Sequence, residues 1–144
     1  MSGKNNSNEN KQIAHLSMIQ GVITRMGYNS FTLKALAATF GSATVAAIAA
    51  MDDPSLYLPI AAVVPVFAFW IMDAQYLRLE RAYRKLYDQV RKENVEDPFS
   101  LDASPYLKET SSVLRLAFSW STSWFYFAVF LSLGLVTLLI YCGA

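Results

Sequence analysis

The feature that most constrains this chain is a long uncharged segment near its C-terminal end. From Leu116 to Tyr141 the sequence contains no Asp, Glu, Lys or Arg. A helix needs about 20 apolar residues to cross a bilayer, so this segment predicts a transmembrane helix. The composition of the whole chain agrees, because 54% of its residues are hydrophobic and only 16% are charged, against about 25% charged residues in soluble domains.

Two further apolar segments predict a helical hairpin. The first runs from about residue 31 to 51 and the second from 56 to 72, with Asp52, Asp53 and Pro54 between them. A turn this short makes the two spans antiparallel. The predicted fold class is therefore an all-α integral membrane bundle with three transmembrane helices, the last at about 116–141.

One row of small residues runs along the first span. Ala38, Ser42, Ala46 and Ala50 recur every four residues, and such rows let helix backbones approach closely in lipid. We expect this row to pack against the second span of the same chain, with packing against another subunit as the alternative.

The segment before the hairpin is polar and then amphipathic. Residues 1–8 are rich in Asn and Ser and predict a disordered N-terminus. Over residues 9–30, apolar residues at steps of three and four predict a cytoplasmic amphipathic helix. Tyr28-Asn29-Ser30 should break that helix before the first span begins.

The second span should continue beyond the membrane within a cytoplasmic helical segment, 73–115. No helix breaker separates Met72 from Lys92, and large residues recur there with heptad spacing. This seam consists of Tyr76, Leu79, Tyr83, Leu86 and Val90. It predicts either a short coiled coil or docking onto the amphipathic N-terminal helix of the same chain. A loop is predicted at 93–104, followed by a new helix at Ser104-Pro105.

The distribution of basic residues predicts the orientation. All twelve lie either up to Lys34 or between Arg78 and Arg115, regions that three spans place on one face. The positive-inside rule makes that face cytoplasmic. We therefore expect a multi-pass membrane protein with its N-terminus in the cytoplasm and its C-terminus outside.

Asp73 is the acidic residue expected deepest in the bundle. A carboxylate at the inner edge of the second span is costly unless it is paired. Lys34 and Arg115 are predicted at the same edge, so a structural ion pair with one of them is expected. A proton or ion site is the alternative interpretation.

The hydroxyl groups of the third span are the candidate pore lining. They belong to Ser119, Thr122, Ser123 and Thr137. Hydrogen bonds to the helix's own carbonyls are the other interpretation of such hydroxyls. In the same way, the basic stretch Arg78–Lys92 predicts a solvated helix face, with attraction of anionic headgroups or a nucleotide as the alternative.

No sequence motif indicates catalysis, nucleotide binding or a metal site. We therefore expect a non-enzymatic protein with no cofactor and no double-stranded nucleic acid partner. His15 is expected to be a surface or packing residue, with pH sensing or partner contact as alternatives. Cys142, the single cysteine, is expected to be incidental.

The hairpin 31–72, followed by the charged aromatic helix from Tyr76 to Tyr87, resembles the SLATT-type small membrane effectors of bacterial anti-phage systems. That resemblance implies an oligomer that perturbs the membrane when a soluble nucleotide signal arises, and it implies no catalytic residues. The third span is a departure from the two-span plan of that group.

The expected function is thus an inner-membrane homo-oligomer in the lipid bilayer. It would act as a pore-forming ion channel or membrane-disrupting effector of antiviral defence, gated through its cytoplasmic helices. The alternative is a scaffold or accessory subunit that anchors a cytoplasmic protein partner through helix 73–92.

Overall fold

The computed structural model describes residues 2–92 and 99–142, and every regular element in those ranges is a helix. The helices are α1 (Ser2–Ala49), α2 (Tyr57–Arg91), α3 (Ser104–Leu107), α4 (Val113–Ala117) and α5 (Trp120–Tyr141). By length and composition, α1, α2 and α5 could each cross a membrane. The predicted all-α fold with three such helices is confirmed.

Helix α1 corrects two predictions. It begins at Ser2, so the prediction of disorder is wrong for the N-terminal residues that the structure describes, and it runs through Tyr28-Asn29-Ser30 without a break. Residues of low helix propensity cost at most about 1 kcal/mol each. Extending an existing helix also costs far less than nucleating one. Packing of α1 against α2 on both sides of residues 28–30 offsets these small costs.

Helix α2 is continuous through Pro65 to Arg91, as the sequence predicts; that its second half lies in the cytoplasm stays a prediction. It begins at Tyr57, and its N-cap is Leu56 rather than the neighbouring serine. Of the loop predicted at 93–104, residues 93–98 lie outside the described ranges. The helix predicted at Ser104-Pro105 is present but ends at Leu107 as the short α3.

The third apolar helix begins later than the sequence predicts. Helix α4 ends at Ala117 and α5 begins at Trp120, because Ser119 adopts an extended conformation (φ −74°, ψ 151°). The Ala117 carbonyl accepts hydrogen bonds from Trp70 Nε1 (3.0 Å) and Ser123 Oγ (3.1 Å). These side-chain donors satisfy a carbonyl that a continuous helix would use internally.

The bundle has two halves. We call residues 31–49 of α1, residues 57–72 of α2 and α5 the apolar half; the rest of α1 and α2, with α3 and α4, is the charged half. The core of the apolar half consists of Ala37, Ala62, Val66, Tyr126 and Leu133. The core of the charged half consists of Ile19, Ile23, Ala82, Leu86, Val90 and Ala103. One continuous α1 lines both cores.

Candidate functional site

A buried polar network joins α1 to α2 where the two halves meet. Lys34 Nζ lies 2.5 Å from Asp73 Oδ2, and Ser30 donates its hydroxyl hydrogen to Asp73 Oδ1. Lys34 also donates to the Ser30 hydroxyl at 3.0 Å. The predicted contact between Asp73 and Lys34 is therefore present. Ser30, which the sequence analysis placed in a predicted helix break, is a third member of the network.

Arg115 does not belong to this network. Its side chain is exposed, and within the described ranges no ion pair joins it to Asp73. The prediction of Arg115 as an alternative partner is wrong, because α4 turns the side chain of Arg115 away from the core that its neighbours Leu116 and Ala117 enter. A lysine ammonium and a serine hydroxyl already occupy both carboxylate oxygens of Asp73. The geometry favours a fixed ion pair over a site for a mobile cation.

His15 of α1 forms hydrogen bonds with the backbone of the segment that begins at Phe99. The Phe99 backbone N–H donates to His15 Nδ1 (3.3 Å), so Nε2 carries the ring hydrogen and donates to the Ser100 carbonyl (2.8 Å). The ring is buried, and Phe99 has φ 82°, which is unusual for a residue other than glycine. The packing interpretation of His15 is confirmed, with two backbone hydrogen bonds in addition.

The C-terminal part of the heptad seam of α2 packs inside its own chain, whereas Tyr76 and Leu79 are only half-buried. Leu86 and Val90 are buried against Ile19 and Ile23 of α1, and Tyr83 packs on the same cluster. At the end of α2, the Gln12 amide donates to the Val90 carbonyl at 3.1 Å. Of the two interpretations of the seam, docking onto the N-terminal helix is the one that the structure supports.

The small-residue row on α1 does not pack against the second span. Ala38, Ser42, Ala46 and Ala50 are all exposed, so the expected contact within the chain is wrong. The close approach uses the adjacent row instead, where Ala37 and Gly41 are buried. A Cβ placed on Gly41 would lie 3.0 Å from Val129 Cγ1, which shows how closely α1 approaches α5 there.

The exposed surface of α1 in the apolar half contains a larger share of small residues than the exposed surfaces of α2 and α5. Eight small residues are exposed there, and we call six of them the α1 face: Ala35, Ala38, Thr39, Ser42, Ala43 and Ala46. The other two are Ala47 and Ala49. Most exposed residues of α2 and α5 in this half are large and apolar, among them Ile60, Val63, Val64, Phe67, Phe127, Leu131, Leu135 and Leu138. Small residues are exposed there too, but they are interspersed among the large ones: Ala61, Ala68, Ser121, Ala128, Ser132 and Gly134. Two large residues, Leu36 and Phe40, flank the α1 face.

The predicted pore-lining hydroxyls lie mainly within the chain. Thr122, a candidate pore-lining residue, is buried in the bundle and is therefore not exposed to line a pore. Ser123 Oγ donates to the Ala117 carbonyl, and Thr137 Oγ1 donates to the Leu133 carbonyl at 2.8 Å. Ser119 Oγ lies 3.4 Å from the hydroxyl of Thr122. Hydrogen bonding within the chain is therefore the interpretation that fits these residues.

Within residues 2–92 and 99–142, no group of three or more His, Cys, Asp or Glu side chains could hold a metal ion. Cys142 is a free, exposed thiol. The fold and surface together define a helical protein with three helices of transmembrane length and composition. No protein-family model matches the chain, and comparison with curated proteins and with solved structures gives no match.

Proposed function

We propose that this chain is a non-enzymatic protein of the bacterial inner membrane that assembles as a homo-oligomer through the α1 face. Its action is to perturb the membrane, by forming a pore or by disrupting the bilayer. The observation that carries the proposal is the contrast between the small residues on the α1 face and the large apolar residues exposed on α2 and α5.

Lipid-facing helices have no reason to expose small residues in a continuous row. Large side chains fill the contact with acyl chains, whereas a row of Ala, Ser and Thr leaves a shallow groove. A second helix fills such a groove because the two backbones approach closely. Within the described chain, the row beside the α1 face is already used in this way at Ala37 and Gly41. The α1 face is the matching surface that the chain leaves uncovered.

The assembly test is the mass of the detergent-purified protein. Ser42→Leu and Ala46→Leu place bulk on the α1 face and should convert the oligomer to monomers. Val64→Leu is the matched control, because Val64 is exposed on α2 where large residues already lie. It should leave the oligomer unchanged. A monomeric wild-type protein, or equal loss of assembly in the control, contradicts the proposal.

A pore is tested separately from assembly by ion flux in liposomes, with and without cytoplasmic extract to supply a soluble signal. The Ser and Thr residues exposed in the described apolar half are Thr39, Ser42, Ser121 and Ser132. Two of them belong to the α1 face, so copies arranged around that face supply polar groups to their shared axis. Absence of flux in both conditions would contradict the proposed pore but not the proposed oligomer.

The role in anti-phage defence rests on the resemblance of the hairpin and of the helix from Tyr76 to Tyr87. The scaffold alternative has less support, because Leu86 and Val90 of the seam are buried against α1. A soluble partner that binds Leu86 or Val90 would first have to displace α1. Phage challenge of cells that express the wild type or Ser42→Leu tests the defence role. Equal protection by both would separate that role from assembly.

A further inference from the structure

Four exposed basic side chains lie at similar depth around the bundle. Arg81 follows Asp73 on α2 by just over two turns, about 12 Å along the helix. Arg25 precedes Ser30 on α1 by five residues, about 8 Å. Because Ser30 and Asp73 are hydrogen-bonded, Arg25 and Arg81 both lie within roughly 12 Å of one level, on the side of the charged half.

The other two cations reach the same zone from α3 and α4. Arg115 immediately precedes Leu116, which packs against Ala74, next to Asp73 in the chain. The carbonyl of the residue before Lys108 accepts a hydrogen bond from Arg78 Nη2 at 3.1 Å. Lys108 is thus held near the level of Arg78, between those of Asp73 and Arg81. We call Arg25, Arg81, Lys108 and Arg115 the basic collar.

The nearby acidic groups are already neutralised. Within the described ranges the ion pairs are Lys34–Asp73, Arg84–Glu80, Lys85–Glu109 and Arg91–Asp88. The four collar residues are exposed and have no ion pair in the same ranges. The described acids without an ion pair are Glu9, Asp52, Asp53 and Asp102. Glu9 lies some 30 Å along α1 from Ser30, and Asp52 and Asp53 lie at the far end of the hairpin. Asp102 adjoins Ala103, which packs in the core of the charged half, and its carboxylate accepts a hydrogen bond from the Ser104 backbone N–H at 2.8 Å.

Exposed aromatic residues mark the membrane surface at this level. Trp120 is 79% exposed at the start of α5, close to Ala117, whose carbonyl accepts the Trp70 hydrogen bond. Tyr28 and Phe31, which flank Ser30, are each 69% exposed. Trp and Tyr are enriched where a protein crosses from hydrocarbon to headgroups. The collar therefore begins at the depth of the lipid phosphates and extends into the water.

We propose that the basic collar binds the headgroups of anionic phospholipids, an inference that rests on the proposed membrane location. The four cations sit on α1, on α2 and around α3 and α4, so together they face a planar layer rather than one compact anion. Each basic residue near an anionic surface contributes about 1 kcal/mol, which is roughly a fivefold change in lipid preference. Their long apolar stems let the charges reach the phosphate level from several helices.

The test uses vesicles of phosphatidylcholine that contain increasing fractions of brominated phosphatidylglycerol. Bromines quench the exposed tryptophans Trp120 and Trp124, so quenching relative to brominated phosphatidylcholine gives the lipid preference. The wild type should prefer phosphatidylglycerol. Arg81→Gln with Arg115→Gln should reduce that preference by up to roughly fivefold per charge removed.

The matched control removes two equally exposed charges far from the collar. Lys11 and Lys92 each lie about 28 Å along their helices from the Ser30–Asp73 contact, well beyond the Debye length of about 10 Å at 0.1 M salt. Lys11→Gln with Lys92→Gln should therefore leave the preference unchanged. In 1 M salt, where the Debye length falls to about 3 Å, the wild-type preference should shrink.

Three results overturn the inference without affecting the proposed membrane location. The first is a wild type that shows no preference for phosphatidylglycerol, and the second is an equal loss of that preference in the control pair. The third is a wild type that binds inorganic tripolyphosphate in detergent, loses this binding in the collar variants, and shows no lipid preference. The last result would assign the collar to a soluble anion. Loss of the oligomer in mass measurements concerns the proposed assembly alone. A protein that alkaline washing removes from the vesicles overturns the membrane location and this inference together.

Discussion

The ion pair between Lys34 and Asp73 should stabilise the fold asymmetrically. The side chain of Asp73 is 1% exposed and that of Lys34 is 24% exposed. Lys34→Met leaves a buried carboxylate supported only by the Ser30 hydroxyl, and breaking a buried pair in this way costs about 3–5 kcal/mol. Asp73→Asn should cost less, about 2 kcal/mol, because the lysine stem can carry its ammonium toward water.

Removing both charges should recover most of the loss. The variant with Lys34→Met and Asp73→Asn has no uncompensated charge, and its amide can still accept from Ser30. We expect its free energy of unfolding to lie within about 1 kcal/mol of the wild type. The coupling energy between the two sites is then several kcal/mol, well above the roughly 0.5 kcal/mol seen for independent sites. Unfolding in detergent micelles with increasing dodecyl sulfate measures all four free energies.

Arg115→Gln provides the control for this cycle. Arg115 is a basic residue that the sequence places at the same edge, yet the structure gives it no contact with Asp73. Its coupling to Asp73→Asn should stay near the level of independent sites. The reasoning is refuted if losses at Lys34 and Asp73 simply add, or if Arg115 couples to Asp73 as strongly as Lys34 does.

Two further predictions concern orientation and helix packing. A reporter fused after Ala144 should be active outside the cytoplasm and one inserted near Ser100 inside it; a cytoplasmic C-terminus would exclude three spans. Gly41→Leu should lower the free energy of unfolding by about 1–3 kcal/mol through overpacking against Val129. Gly134→Leu, where a Cβ meets nothing within 4 Å, should not lower it, and equal losses at the two glycines would contradict the packing described.

The three long helices were predictable because charge and hydrophobicity mark a transmembrane segment directly. The start of the third was not. From Leu116 onward the sequence has no charge to mark a boundary, and the break at Phe118 and Ser119 depends on Trp70, a residue of another helix. Its indole N–H binds the Ala117 carbonyl. A boundary fixed by a tertiary hydrogen bond leaves no local signal in the sequence.

For Asp73, the sequence predicts that a partner exists, but tertiary contacts decide which residue it is. Because burying an unpaired carboxylate costs free energy, the sequence predicts that Asp73 has a partner, and antiparallel spans place Lys34 at the right depth. Distinguishing Lys34 from Arg115 requires the rotation of α4 about its axis. That rotation is set by Leu116 and Ala117 packing against Ala74, a contact between segments far apart in the chain.

Because α1 is one continuous helix, its packing in the charged half determines which of its residues face inward in the apolar half. Ala37 and Gly41 follow Ile19 and Ile23 by eighteen residues each, which is five turns at about 3.6 residues per turn. The residues that dock α1 in the charged half therefore fix which row faces inward in the apolar half. With a break at Tyr28-Asn29-Ser30, as the sequence predicts, the residues before the break would not determine which face of the first span points inward. Because the helix is unbroken, the row at Ala38 is turned away by about 100° from the row at Ala37. The row at Ala38 is therefore exposed on the described chain, and the proposed assembly rests on that exposed surface.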